Sequence, residues 1–275
     1  MNSISTSDGM RLAFDDVGEG PPVILTHGWV VGGEMWEAVA ARLAAGHRAV
    51  SVDRRGCGRS DRPSHGFDLD TLADDLRAFL DALDVREATL VAHSVGGAEA
   101  VRMLARHGAG RIARLVLVGT TTPGPPQEAQ PNADTLDELV GGMLHDQPAY
   151  VRAGVPGFFG DTDAVSPELA DWAVGLTLRA SLAASIGIMS TGASTDTSAD
   201  VAACPVPTLL LHGDADASAP LELTGRPTAE ALPEARLELY AGAAHGLPLT
   251  HPERIAADIR SFVIPANAAA LAGGR

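Results

Sequence analysis

Four short apolar runs, separated by helical patterns, constrain this chain more than any other feature. "PPVILTHG", "HRAVSVD", "ATLVAHS" and "IARLVLVGT" are continuous rather than alternating in polarity, as strands buried on both faces are. Between them lie helical segments. The first runs from Glu34 to Ala45; in the second, Asp70 to Leu83, the residues Leu72, Leu76, Phe79, Leu80 and Leu83 make one apolar face. A third follows Ser94 to about Arg106. Strand and helix alternating at this spacing predict a parallel sheet with crossover helices. Upstream, "SISTSDGMRLAFDDVG" reads as an antiparallel hairpin around a Ser-Asp-Gly turn.

The alternation stops at Thr122. A Pro-rich connection, "TPGPPQEAQPNAD", leads into helices that continue to about Asp200. The β pattern resumes at "CPVPTLLLHGDAD", followed by a helix near Leu221 to Leu232, a strand "ARLELYAGAAH", a last helix from Pro252 to Phe262 and a tail expected to fray. The expected fold class is α/β: a doubly wound, mostly parallel sheet built from residues 1–121 and 201–275, with a helical cap, 122–200, inserted between strands. A chain of 275 residues, 45% apolar, is long enough for one large core.

The formal net charge is −15 and no run of arginines forms a stripe, so nucleic acid is not an expected partner. Such a surface favours neutral or apolar substrates over anions. All 20 basic residues are arginine, and Cys57 and Cys204 stand far apart outside any zinc-binding pattern. They read as free thiols. The N-terminal segment lacks a basic region followed by an apolar one, and no apolar run is long enough for a membrane span. The expectation is a cytoplasmic protein with no membrane partner, with a homo-oligomer left open.

Ser94, in "LVAHSVGG", ends a strand and begins a helix. Open parallel sheets carry their chemistry at such carboxyl ends, and strand-turn-helix is the context of a nucleophile elbow. The usual Gly-x-Ser-x-Gly has Ala92 in place of the first glycine. A serine hydroxyl needs a base. His245, in a loop of small residues after the final strand, is the best placed; His47, His107 and His145 read as surface residues and His251 as a cap of the last helix. The base needs an acid to orient it, and Asp214 and Asp216 both follow the strand "TLLLHG".

An oxyanion developing on the substrate needs amide donors. Val95 N–H opens the helix after Ser94, and Trp29 N–H lies in the loop after "VILTHG", which His27 and Gly28 shape. His93 is adjacent to Ser94 and is expected to point away from the hydroxyl in a structural role. His212, Asp214 and Asp216 could suggest a metal, but a strand end explains them. "RRGCGRS" lacks the Lys-Ser/Thr ending of a phosphate loop; Arg54 and Arg55 read as partners of nearby acids. No metal and no cofactor is expected.

"HGW", "DRRGCGRSD", "HSVGG", "GDADASAP" and "AAHG" together resemble an α/β-hydrolase, and "RRGCGRSDRP", "MLARHGAGRIARLVLVG" and "PVPTLLLHGDAD" are similar to the branch of cofactor-free haloperoxidases, arylesterases and perhydrolases. The resemblance covers nearly the whole chain. It implies a Ser94, His245, Asp216 triad, with Asp216 at the acid position of Gly213-x-x-Asp-x-x-x-Pro220 and Asp214 bracing the turn. It further implies a carboxylic ester hydrolase that forms an acyl-enzyme on a small, largely apolar or aromatic ester or lactone. Trp29, Val30, Phe158, Phe159, Trp172 and Met189 are the candidate pocket residues; Trp36 could line the acyl pocket too, but a bulky residue near an apolar helix is more often core. Two alternatives are a perhydrolase-type haloperoxidase and a ligand sensor that binds without turnover. Relatives that make peracids carry Pro after the His-Gly-aromatic segment, where this chain has Val30; hydrolysis is therefore expected to exceed perhydrolysis.

Overall fold

The computed structural model describes residues 2–125, 130, 133–160, 165–232 and 234–263. The expected tail lies outside them. Strands β1 (Asn2–Ser5) and β2 (Arg11–Val17) form the predicted hairpin, and β2 pairs antiparallel with β4 (Arg48–Val52). The other strands, β3 (Pro22–Thr26), β5 (Ala88–His93), β6 (Ile112–Val118), β7 (Thr208–Gly213) and β8 (Arg236–Tyr240), join β4 in parallel. The eight-stranded order is β1-β2-β4-β3-β5-β6-β7-β8. The chain reverses its direction of winding at β3, so β3 and β5 are neighbours with their carboxyl ends side by side. Ligands bind at such a switch point.

Both sheet faces are covered, which is why the strands read as continuous apolar runs. On one face Val23, Leu25, Val91, Val116 and Leu209 meet Trp36, helix α1 (Glu37–Leu43) and Ile255 and Ile259 of a C-terminal helix. On the other, Ile24, Leu90, Leu115 and Leu210 meet α2 (Leu69–Ala82) and α3 (Val95–His107). Trp36 is core, as its setting suggested. A 3₁₀ turn, Gly33–Trp36, precedes α1, so the predicted helix there starts about one turn late.

Among the described residues, five helices stand between β6 and β7: α4 (Ala133–Ala153), kinked at Asp146 before Pro148, α5 (Val155–Phe159), α6 (Pro167–Thr177), α7 (Leu182–Ser194) and α8 (Ser198–Ala202). The last crosses the expected boundary, since Val201 is buried with α2 and α3 residues. After β7 come α9 (Gly225–Ala231), a short α10 (Leu247–Thr250) not anticipated from the sequence, and α11 (Pro252–Val263). No single helix among the described residues is long and apolar enough to cross a membrane; α6 and α7 are together apolar enough but meet at 95°.

The "DRRGCGRS" loop ties the sheet's carboxyl edge together. Asp53 accepts from the Gly33 amide at 2.6 Å and from Arg59 Nε at 2.7 Å, and Arg55 bonds Asp75 on α2 at 2.5 and 2.6 Å. Cys57, fully buried in the same loop, has its thiol pushed up to about 12 by burial.

Candidate active site

The backbone at Ser94 is bent between β5 and α3 with φ 55° and ψ −125°. L-residues with a side chain avoid positive φ, so this turn stores strain. It sets Ser94 on the cavity side of the sheet with only 6% of its surface exposed. Close approach explains the small residues around it: a methyl group on Gly96 would fall 2.7 Å from the His27 carbonyl oxygen, and one on Gly28 would fall 3.1 Å from Ser94 Cβ.

Three side chains from three strand ends converge here. Ser94 Oγ lies 2.9 Å from His245 Nε2, and His245 Nδ1 lies 2.7 Å from Asp216 Oδ2. The Asp216 carboxylate therefore holds the proton on Nδ1, leaving Nε2 to accept from the serine hydroxyl. Its other oxygen accepts the amides of Ser218 and Ala219 at 2.9 and 2.7 Å. Burial alone would raise the Asp216 carboxyl, but His245 and the Ala219 amide outweigh it and hold the group below the usual carboxylate range. Asp214 instead accepts the Gly242 amide at 2.6 Å, bracing the β7 and β8 ends.

Trp29 lines the same cavity as Ser94, Val95 follows Ser94 in sequence, and among the described residues neither amide has a backbone acceptor. Val95 N–H belongs to the first turn of α3, whose dipole favours negative charge. The loop carrying Trp29 is held from behind. Arg54 donates to the carbonyls of His27, Gly28 and Trp29 at 2.8, 2.9 and 3.2 Å, and to Glu99 of α3 at 2.6 and 2.8 Å.

Buried imidazoles surround the site. His27 Nε2 accepts the Arg54 amide at 3.1 Å, so its proton sits on Nδ1 and is donated to the Gly28 carbonyl at 2.8 Å. His93 makes no bond to Ser94, as expected, but it is no bystander. Its Nε2 donates to the His245 carbonyl at 3.0 Å, its ring lies 4.7 Å from that of His245, and burial lowers its pKa to about 3. His212 Nε2 donates to the Ala219 carbonyl at 2.8 Å beneath Asp216. His47 is buried rather than on the surface, because it follows α1 directly into β4. No group of His, Cys, Asp and Glu among the described residues is arranged to hold a metal.

A cavity of about 370 Å³ opens above Ser94 and His245, and no Asp, Glu or Arg lines it. Of the expected pocket residues, Trp29, Phe158, Phe159 and Met189 line it. Two do not. Val30 is fully buried beneath the loop with Cys57, Phe67 and Leu72, while its neighbours Trp29 and Val31 face the cavity. Trp172 is 38% exposed on the outer side of α6; the next residue, Ala173, about 100° round the axis, is the one that faces inward, with Val174 and Thr177. Sequence reasoning missed Tyr150, Val151, Val155 and Ile188. They lie on α4, α5 and α7, and no local sequence signal marks them as wall residues.

Residues 21–168 match the sequence model described as the α/β hydrolase fold. A non-heme chloroperoxidase from Kitasatospora aureofaciens is 33% identical, over 94% of this chain and 98% of its own. The crystal structure of a bromoperoxidase from Bacillus anthracis superposes with a TM-score of 0.89 at 31% identity, covering 95% of this chain and 99% of that one. An esterase from Exiguobacterium antarcticum superposes with a TM-score of 0.88 at 30% identity, covering 95% and 98%. The chain belongs to the α/β-hydrolase fold family, in the branch that contains non-heme haloperoxidases and esterases.

Proposed function

We propose that the protein is a carboxylic ester hydrolase whose nucleophile is Ser94, acting on small apolar or aromatic esters or lactones. The observation that carries this reading is the Ser94, His245, Asp216 chain of hydrogen bonds, 2.9 and 2.7 Å, at the floor of a cavity lined without formal charge. His245 Nε2 takes the hydroxyl proton as Ser94 Oγ adds to the carbonyl carbon, and the carbonyl electron pair moves onto oxygen, where the Trp29 and Val95 amides receive it. Collapse breaks the ester bond, and the imidazolium returns its proton to the leaving alcohol. Water then repeats the sequence on the acyl-enzyme.

The names of the relatives favour a second reading, in which hydrogen peroxide replaces water in the second half-reaction and releases a peracid. One preparation distinguishes them. Steady-state rates on p-nitrophenyl esters and lactones, run beside bromination of monochlorodimedone in acetate with peroxide, are expected to show hydrolysis dominant and bromination dependent on added carboxylic acid. Efficient bromination undiminished relative to hydrolysis would transfer the protein to the second reading. Within the ester panel, a carboxylate-bearing ester is expected to react roughly 100-fold less efficiently than its neutral analogue, since the cavity offers the charge no partner. Equal efficiency would contradict the apolar cavity.

A further inference from the structure

We propose that Arg54 is the positioning residue of the oxyanion hole: its guanidinium aims the Trp29 amide and fixes its place relative to the Val95 amide. The inference rests on the acyl-enzyme reading of Ser94. Arg54 lines no part of the cavity and is 3% exposed, so it acts only through the backbone it holds.

The geometry is that of a planar fork spanning two elements. Nε and Nη2 reach Glu99, one turn into α3 from Val95; Nη1 reaches the Gly28 and Trp29 carbonyls and Nη2 the His27 carbonyl. One residue thereby fastens the two segments that carry the two unpaired amides. The Gly28–Trp29 peptide is trans, so its C=O and N–H point in opposite directions. The carbonyl receives Arg54 Nη1 at 2.9 Å and His27 Nδ1–H at 2.8 Å, and the amide of the same unit must face away from both, towards the Ser94 side of the loop. A cation on the carbonyl also polarises that unit and strengthens its N–H as a donor. Lysine carries the same charge but not the fixed fork, so it cannot serve Glu99 and three carbonyls at once.

A residue that merely neutralised buried Glu99 would behave differently. Two variants separate the cases: Arg54→Lys, which keeps the charge, and Arg54→Met with Glu99→Met, which removes both charges and leaves no unpaired ion. Each is compared with wild type in three measurements. These are kcat/KM on one good ester, the inhibition constant of the matching trifluoromethyl ketone, and the affinity of an ether of the same shape, which fills the cavity but has no carbonyl. The ketone takes Ser94 Oγ onto its carbonyl carbon, sends the serine proton to His245 and places an oxyanion in the hole. Expected in both variants are a wild-type circular dichroism spectrum, ether affinity within about twofold, and parallel losses of roughly 10- to 100-fold in kcat/KM and ketone affinity. Unchanged ketone affinity, full rescue by lysine, an equal loss for the ether, or failure of both variants to fold would each assign Arg54 a structural role and overturn the proposal. A wild-type protein that turns over ester yet forms no ketone adduct and takes no fluorophosphonate on Ser94 would overturn the acyl-enzyme reading itself.

Discussion

The floor and the roof of the cavity are built by different means. The floor, at the carboxyl edge of the sheet, is polar and held by directional bonds: Asp216 is bonded on both oxygens, His245 on both ring nitrogens, and Arg54 on all three of its nitrogens. The roof, from α4 to α7, meets it mainly through apolar side chains. Its polar ties among the described residues run chiefly to backbone carbonyls, such as Trp29 Nε1 to the Ser185 carbonyl at 2.8 Å, the Gly246 amide to the Phe158 carbonyl at 2.7 Å and Thr191 Oγ1 to the Phe67 carbonyl at 2.8 Å, beside the Arg179–Glu34 ion pair at 2.6 Å. Directional bonds fix positions to fractions of an ångström, whereas apolar contacts tolerate repacking. Reaction chemistry should therefore be brittle to substitution and selectivity pliable.

The largest effect is expected at Ser94. Ser94→Ala should cost on the order of 10⁶ in kcat while the fold is kept; more than a few per cent of residual hydrolysis would mean that the floor does not supply the nucleophile. Next comes the acid. Asp216→Asn should lower kcat by roughly 10⁴ by favouring the wrong His245 tautomer, with Asp214→Asn close to wild type. A reversed order, seen in the same steady-state assay, would exchange their assignments. The roof should respond less. Ile188→Phe, which adds bulk to the cavity wall, is expected to shift the ratio of kcat/KM for long over short acyl chains by roughly 10-fold towards short ones, with kcat on acetate esters nearly unchanged. A loss of several decades on every chain length would show the roof to be as brittle as the floor.

The contrast extends to pH. His93, His27 and His212 are held neutral in the folded floor, chiefly by burial, with pKa values below 6.5 and about 3 for His93. Unfolded, each takes a proton near 6.5. Their contribution is fully present above pH 6.5 and is lost as pH falls towards the folded values, by about 1.4 kcal/mol per pH unit for each histidine taking up a proton. Urea midpoints measured from pH 7 to pH 4 should fall accordingly, and His93→Gln should flatten the slope. A flat profile for the parent protein would mean that these rings are charged in the native state.

The floor was also the legible half. Each residue of the proposed triad sits at a strand end, and a strand end is a local signal: an apolar run, then Ser94, Asp216 or His245 among small residues. The three meet because parallel strands place their carboxyl ends together. The roof offers no such rule. Which face of a helix looks inward depends on how it lies on the sheet, so Trp172, a candidate pocket residue, faces out while Ala173 and Val174 line the wall. Val30, in the loop after β3, is one residue out of phase: Trp29 and Val31 on either side of it face the cavity. The layer behind the triad was hidden differently. Arg54 was legible as an ion-pair residue, but its three carbonyl acceptors lie more than 20 positions away, and only tertiary folding reveals them.

The left-handed turn at Ser94 sets usefulness against sturdiness within one residue. A side chain held at φ 55° costs about 1–3 kcal/mol, and alanine inherits that cost because it too has a Cβ. Glycine does not, although it gives back roughly 0.5–1 kcal/mol through the freedom it adds to the unfolded chain. Ser94→Gly should therefore melt a few degrees higher than Ser94→Ala by calorimetry, and an equal or lower melting point would mean that the turn is relaxed. The position that the proposed chemistry needs is thus one that the fold holds at a cost.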